Sequence, residues 1–294
     1  MRPELVQAYQ LLRSNDPKSV EEALRLIQST VFSFSMKVCG HREDAEDTMQ
    51  DVLLKSLPHL QKIENPQALA VWLYKVTRNH CWMSRRKSKF APDQTLSLEE
   101  LMPDSAELES LTGHSEQSPE AKAVSKQQAE RVHEAVLRIP PKYRLVLVLH
   151  DMEDLDTSDV AKITGLSEGT VRVRLHRARL FVRRELAGRT TAKVSRRRRA
   201  SKPADCRKMF ASLSEYIDGR LDRLTCDRIR KHLQDCPSCI AFINDLNRAI
   251  ERCRSYEVQC GPQIAAQLRQ LLLQEYFRFS RPREDSTATS RACS

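Results

Sequence analysis

From residue 19 to residue 39 the apolar side chains recur at helical spacing: Val20, Ala23, Leu24, Ile27, Val31, Phe34 and Val38. That rhythm places one apolar stripe on a helix. Gly40 stops the pattern. A second helix is expected from about Glu43 to Leu57, ended by Pro58. After a short loop through Glu64-Asn65-Pro66, the positions Leu69, Trp72, Leu73 and Val76 mark a third helix that continues into Arg85-Arg86-Lys87. These elements make one helical domain over residues 1–90. The rhythm then fails. Residues 91–125 hold Pro92, Pro103 and Pro119 among many Ser and Thr, the pattern of a flexible linker. Periodicity resumes near Lys126, breaks at Pro140-Pro141, and returns from Tyr143 in short helices that end near Ala187, giving a second helical domain over 126–187. A linker over 188–204 leads to a third helical unit, 205–256. In the remaining stretch, 257–294, Ile264, Leu268, Leu271, Leu272 and Phe279 suggest one more amphipathic helix before a disordered tail. The expected fold class is all-α: two small helical domains joined by a flexible linker, plus a small helical unit.

Composition agrees. With 7 glycines and 5% aromatics in 294 residues, the chain lacks the turn glycines and β-branched runs of an all-β fold. The net charge of +10 is unevenly spread. Residues 91–125 carry eight acids against Lys122, whereas 183–208 carry eleven Lys and Arg against Glu185 and Asp205. A cationic stretch that dense meets phosphate or an acidic partner surface, or is simply a solvated linker. No apolar run is long enough for a membrane span, and MRPELVQAYQ lacks the apolar core of a signal peptide, so a cytoplasmic protein is expected. In that compartment 9 cysteines read as thiols or metal ligands rather than disulfides.

The segment DVAKITGLSEGTVRVRLHRARLFVRREL has a helix–turn–helix layout. Val160, Ala161 and Ile163 give the first helix a buried side. Gly165 stands where the tight turn requires positive φ, and Ser167 is placed to cap the next helix. On that helix Val171, Leu175, Ala178 and Val182 form the core-facing stripe. Thr170, Arg172, Val173, His176 and Arg177 lie opposite, with Arg174 and Arg179 flanking. An exposed, Arg-rich helix fits the major groove, where guanidinium groups bind guanine edges or anchor phosphates; the alternative is a hairpin with a solvated basic face.

In the first domain Asp44, Asp47 and Asp51 fall at i, i+3 and i+7 with Gln50 beside them, an acidic face suited to a basic protein partner or merely to solvent. The next helix interleaves Trp72, Tyr74 and Trp82 with Lys75, Arg78, Arg85 and Arg86. Aromatics among cations hold unstacked bases and phosphates, although Trp72 also suits a core position.

The stretch KHLQDCPSC sets His232, Cys236 and Cys239 in an H-x3-C-x2-C spacing. His232 and Cys236 fall at i, i+4 on one helix face, and Pro237 favours a new helix start. Tetrahedral zinc needs a fourth ligand. Cys226, on the same helix as His232, would point away from it, whereas Cys206 comes from a preceding helix and is able to approach from outside. No Glu stands beside these residues as a general base, and a complete shell leaves no open position, so a zinc hydrolase finds no support. A unit of about 50 residues is small for a self-supporting core, so a metal adds to its stability.

Three of these regions resemble known families. DAED-x-x-Q-D followed by WLY-x-x-x-RN and a basic tail resembles region 2 of extracytoplasmic-function (ECF) RNA polymerase sigma factors. P-x-x-R-x-V followed by GLSEGTVRVRLHRAR resembles their region 4. The resemblance implies that Asp44, Asp47, Gln50 and Asp51 face the β′ clamp of RNA polymerase core. It implies that the loop 63–69 and the helix with Trp72, Arg78, Asn79, Arg85 and Arg86 melt and read the −10 element of promoter DNA. Thr170, Arg172, Val173, Arg174, His176 and Arg177 would read the −35 element. Val173 and His176 are unconventional base readers, and Thr164 stands where the family pattern is apolar. The unit from Cys206 to Cys239 resembles the zinc-binding anti-sigma domain, which implies one Zn2+, structural or redox-sensing, held by Cys206, His232, Cys236 and Cys239. Fused in cis, it is expected to make an intramolecular regulatory contact with the sigma domains. The competing expectation is a zinc-binding helix–turn–helix regulator that acts without replacing sigma. Neither reading makes the chain an enzyme.

Overall fold

The computed structural model describes residues 1–14, 16–83, 101, 125–187, 204–258 and 262–280. The expected linkers 91–125 and 188–204, apart from Leu101, Ser125 and Ala204, lie outside the described residues, as do Arg85, Arg86 and the terminal tail. Among the described residues the regular elements are helices, with no strand. The first domain is a four-helix bundle: α1 (Pro3–Arg13), α2 (Pro17–Cys39), α3 (Arg42–Leu60) and α4 (Pro66–Met83). Helix α1 was not foreseen, although Pro3 opens it and Leu5, Ala8 and Leu12 repeat at i, i+3 and i+7, all buried against the bundle. Asp16 caps α2 by accepting from the Ser19 amide at 2.9 Å, and Asn65 caps α4 through the Ala68 amide at 2.7 Å. Helix α3 runs past Pro58 to Leu60, where the sequence suggested a stop. In the last turn the proline removes only one hydrogen bond, and burial of Leu57 and Leu60 on either side holds the turn.

The second domain comprises α5 (Ser125–Arg138), α6 (Pro141–Leu147) with a π-turn at Val148–Met152, α7 (Thr157–Thr164) and α8 (Glu168–Leu186). The stripe Val171, Leu175, Ala178 and Val182 is buried as expected. Gly165 joins α7 to α8 at φ 70°, a conformation costly for other residues. Thr164 tolerates its interior place because its hydroxyl donates to Val160 O at 2.6 Å.

The two domains are not separate beads. They pack along α2–α5, α2–α6 and α4–α7, and their apolar residues merge into one core. Gly40 ends α2 at φ 81°, and any Cβ there would lie 2.6 Å from Leu137 Cδ2 on α5. Both the backbone conformation and the close approach therefore demand glycine. Arg144, the arginine of P-x-x-R-x-V, is 2% exposed. It donates to Val38 O at the end of α2 (2.8 Å) and to Ile139 O (3.1 and 3.2 Å). With carbonyls rather than a carboxylate as partners, burial pulls this guanidinium down to about 10. The seam also buries Glu153. Its carboxylate accepts from Lys37 Nζ (2.8 Å) and from the Tyr74 hydroxyl (2.7 Å), and pairs with Arg2 Nε (2.8 Å). Lys37, Tyr74 and Glu153 are each at most 1% exposed.

The third unit is α9 (Ala204–Ile217), α10 (Arg223–Asp235) and α11 (Pro237–Arg254); α9 and α11 lie on α8. The final helix, α12 (Pro262–Ser280), lies on α2 and α3. Its Leu272 and Tyr276 are buried, but Leu271 and Phe279, expected on the apolar face, are exposed.

Candidate nucleic-acid interface and metal centre

Helix α3 presents Asp47, Gln50 and Asp51 to solvent, with Asp44 half-buried. Asp51 contacts His80 Nε2 at 2.8 Å and Lys55 Nζ at 3.3 Å, and the His80 contact chiefly holds its carboxyl below the usual range. On α4 Trp72 is half-buried against the His59 ring, centroids 5.6 Å apart. Asn79 is exposed, and Arg78 Nη1 donates to Ile163 O on α7 at 2.8 Å. Tyr74 does not belong to the open aromatic–cationic face that the sequence suggested. It is buried, and its hydroxyl is committed to Glu153. Burial also pushes this phenol well above its ordinary value, so it stays a hydrogen-bond donor.

Helix α8 begins with Ser167 accepting from the Thr170 amide. Thr170 and Val173 are exposed, Val173 to 57%; Arg172, Arg174 and Arg177 are half-buried. Arg172 lies 3.5 Å from Glu168 and 3.7 Å from Glu215 of α9, and Arg177 donates to the Tyr143 hydroxyl at 3.1 Å. His176 is turned into the contact with the third unit, its Nδ1 2.8 Å from Ser214 Oγ. It is 7% exposed, and burial, then Arg179 and Arg177, push it down to about 4. Arg179, expected at the edge of the exposed basic face, is fully buried. One side of its guanidinium takes Asp151 (2.6 and 2.8 Å), and the other takes Asp218, just past α9 (2.8 and 2.9 Å). One turn on, Arg183 pairs with Asp245 of α11 at 2.9 Å and lies over the Phe242 ring. Periodicity assigned Arg179 to a face by its own helix alone; the acids that bury it, Asp151 and Asp218, lie 28 and 39 residues away. Ser214, Glu215, Asp218 and Asp245 went unmarked because nothing local sets them apart from surface residues.

Cys206 of α9, His232 of α10, Cys236 at the junction of α10 and α11, and Cys239 of α11 converge, with all ligand atoms within 4.8 Å of one another. Cys206 Sγ lies 3.6 Å from His232 Nε2, His232 Nε2 3.2 Å from Cys239 Sγ, and the two sulfurs are 3.8 Å apart. Tetrahedral zinc with bonds of about 2.0–2.3 Å sets ligand edges of about 3.3–3.8 Å, so the donors fit that ion. Cys226 is not among them. Cys236 is not on the α10 face with His232, as the i, i+4 spacing suggested. It has left the helix at φ −126°, ψ 90°. The cause is Pro237, whose ring drives the preceding residue out of the α region. That kink turns α11 back so that Cys239, in its first turn, meets Cys206.

The geometry defines an all-helical protein: two packed helical modules, the second with an arginine-rich helix after a tight turn, and a third unit, holding a Cys3His cluster, that packs on that helix. Comparison with known families agrees. Residues 23–90 match "Sigma-70 region 2", 129–182 match "Sigma-70, region 4", and 206–239 match "Putative zinc-finger". The ECF RNA polymerase sigma factor SigW of Bacillus subtilis is 25% identical over 180 residues, 60% of this chain and 92% of the relative. SigM of Mycobacterium tuberculosis is 30% identical over 144 residues, 49% of this chain and 65% of the relative. The sigma-E factor of Streptomyces coelicolor is 28% identical over 172 residues, 58% and 86%. The chain belongs to the ECF sigma factors, which direct RNA polymerase to promoters, and carries an anti-sigma-like zinc-finger domain. No helix among the described residues is long and apolar enough to cross a membrane.

Proposed function

We propose that this is a non-enzymatic, cytoplasmic sigma factor held inactive by its own C-terminal domain. Asp44, Asp47, Gln50 and Asp51 dock the β′ clamp of the polymerase core. Trp72, Arg78, Asn79, Arg85 and Arg86 open and read the −10 element. Thr170, Arg172, Val173, Arg174, His176 and Arg177 read the −35 element. One Zn2+ on Cys206, His232, Cys236 and Cys239 supplies the cross-link that orders the small third unit. The observation that carries the reading is the grip on α8. His176, Arg179 and Arg183 are all turned to residues of the third unit, Ser214, Asp218 and Asp245. His176 is then unavailable to DNA, Arg172 is drawn toward Glu215, and α9 and α11 cover the side of α8 that carries Arg179 and Arg183. Arg78, spent on Ile163 O, extends the same logic to the −10 helix.

The test keeps the whole chain. In the double variant Asp218→Asn, Asp245→Asn, Arg179 retains Asp151, so α8 stays anchored while the third unit loses two charged contacts. Run-off transcription with purified core polymerase is expected to rise at least severalfold over the wild-type chain. Equal activity of the two at every zinc concentration would refute inhibition in cis.

A further inference from the structure

Helix α1 precedes the region 2 segment, residues 23–90, so the family pattern gives its side chains no role. Leu5, Ala8 and Leu12 root it against α2 and α4. One position past Ala8 and Leu12 stand Tyr9 and Arg13, at i, i+4 on the flank of the helix. Both reach the loop between α3 and α4. The Tyr9 hydroxyl donates to Glu64 O, and Arg13 Nη2 donates to Ile63 O. The two are also tied to each other. Arg13 Nη2 donates to the Tyr9 hydroxyl at 3.2 Å, and the guanidinium lies 5.1 Å from the centre of the Tyr9 ring.

The two carbonyls are consecutive, and neither belongs to a helix. Two donors from one anchored helix fix both peptide planes, where water as the partner would leave them free to turn. The Ile63 side chain packs on the core, while Lys62, Glu64 and Asn65 stay exposed. The loop is thus held by its backbone and open at its side chains. Gln67 is bound differently: its amide donates to the Asp159 carboxylate on α7, in the second module. Separation of the modules breaks the Gln67 contact and leaves Tyr9 and Arg13 in place, because their partners lie in their own module.

We propose that Tyr9 and Arg13 are positioning residues for promoter opening, an assignment that rests on the loop 63–69 being the reader of the −10 element. They act on the loop backbone and not on the DNA. By fixing the carbonyls of Ile63 and Glu64 to α1, they set in advance the shape that receives an unstacked base. Little ordering of the loop is then left to be done when the base leaves the duplex. Their loss blunts the choice of −10 sequence and spares the choice of −35 sequence, which α8 makes.

Two measurements on the full chain test this. The first reads the loop in the protein alone, as the initial rate of tryptic cleavage after the exposed Lys62. Tyr9→Phe removes one oxygen and keeps the ring. In that variant and in Arg13→Ala the cut is expected to come at least about tenfold faster, with cleavage after Arg25 in α2 unchanged. The second is transcription by core polymerase from a template pool randomised at both promoter elements, with the transcripts sequenced. In either variant the enrichment of favoured −10 bases should fall at least about fivefold while −35 enrichment is kept. A third chain, Lys62→Ala with Glu64→Ala, alters the exposed side chains of the loop itself. If it changes −10 enrichment while Tyr9→Phe and Arg13→Ala do not, the positioning role is overturned and the loop remains the reader. If it leaves −10 enrichment as in the wild type, the loop is not the reader and the positioning role falls with it. Loop cleavage at the wild-type rate in both α1 variants, or −10 and −35 enrichment lost together, would also overturn the proposal.

Discussion

Replacing Glu153 by Gln tests whether the two sigma modules are latched to each other. The side chain keeps its shape and loses its charge. In the closed chain Lys37, 0% exposed, would then face a neutral amide, and Arg2 would lose its carboxylate partner at 2.8 Å. Lys37 is already pushed below its ordinary value by burial, with Glu153 as its main support. Removing one partner of a buried pair costs about 3–5 kcal/mol, because the other charge stays buried and unpaired. Here the cost falls on the seam. Lys37, Tyr74 and Arg2 belong to the first module and Glu153 to the second, so separation returns every member to water. At about 1.4 kcal/mol per decade, the closed-to-open ratio should fall by roughly two to three and a half decades. Hydrogen exchange of the α2, α4 and α7 backbone amides reads this directly, and promoter-directed transcription should rise with it. Adding Lys37→Met to the Gln variant removes the stranded charge and should restore protection. Seam protection in Glu153→Gln within about 1 kcal/mol of wild type would refute the latch, since surface-like pairs contribute no more than that.

Three further outcomes are expected. His176 is pushed down to about 4 in the closed chain, so that state binds fewer protons than one with the imidazole in water. Docking of the third unit should be complete above about pH 6.5 and weaken as pH falls toward 4, by about 2 kcal/mol at pH 5, and His176→Asn should flatten that slope in exchange measured on α8. Stripping zinc with a chelator should loosen α9–α11 before the sigma modules melt, seen as partial loss of helical circular dichroism that added Zn2+ restores; loss of the entire signal in one step would contradict a separate structural role for the ion. Because Asp47, Gln50 and Asp51 stay exposed in the closed chain, wild-type protein should co-elute with core polymerase on size exclusion and Asp47→Lys should not; core binding that appears only in Glu153→Gln would show that this surface is masked after all.

Most of the helices could be read from the sequence because they are local. The α2 stripe, the Ser167 cap and the Gly165 turn are set by residues within a turn or two of each other, and all were found where the chain pattern put them. The four clip residues were legible for a related reason: three sit within eight positions, and the fourth was chosen by chemistry and direction. What could not be read is the packing between modules. Glu153 finds Lys37 across 116 residues and Tyr74 across 79, and neither pairing leaves a periodic trace. For the same reason Tyr74 passed for a base-stacking aromatic and Arg179 for a surface cation. The position of Cys236 was missed differently: the helical count was sound, but the steric demand of Pro237 on the residue before it overrode the count.

The π-turn at Val148–Met152 places Asp151 and Glu153 two residues apart, yet they face opposite ways. Asp151 reaches through Arg179 to Asp218 of the zinc unit, and Glu153 reaches Lys37 and Tyr74 of the first bundle. The two clasps thus hang from one knot of backbone. Whatever untwists that knot lets go of both at once, so the molecule is wired to switch as a whole and not by degrees.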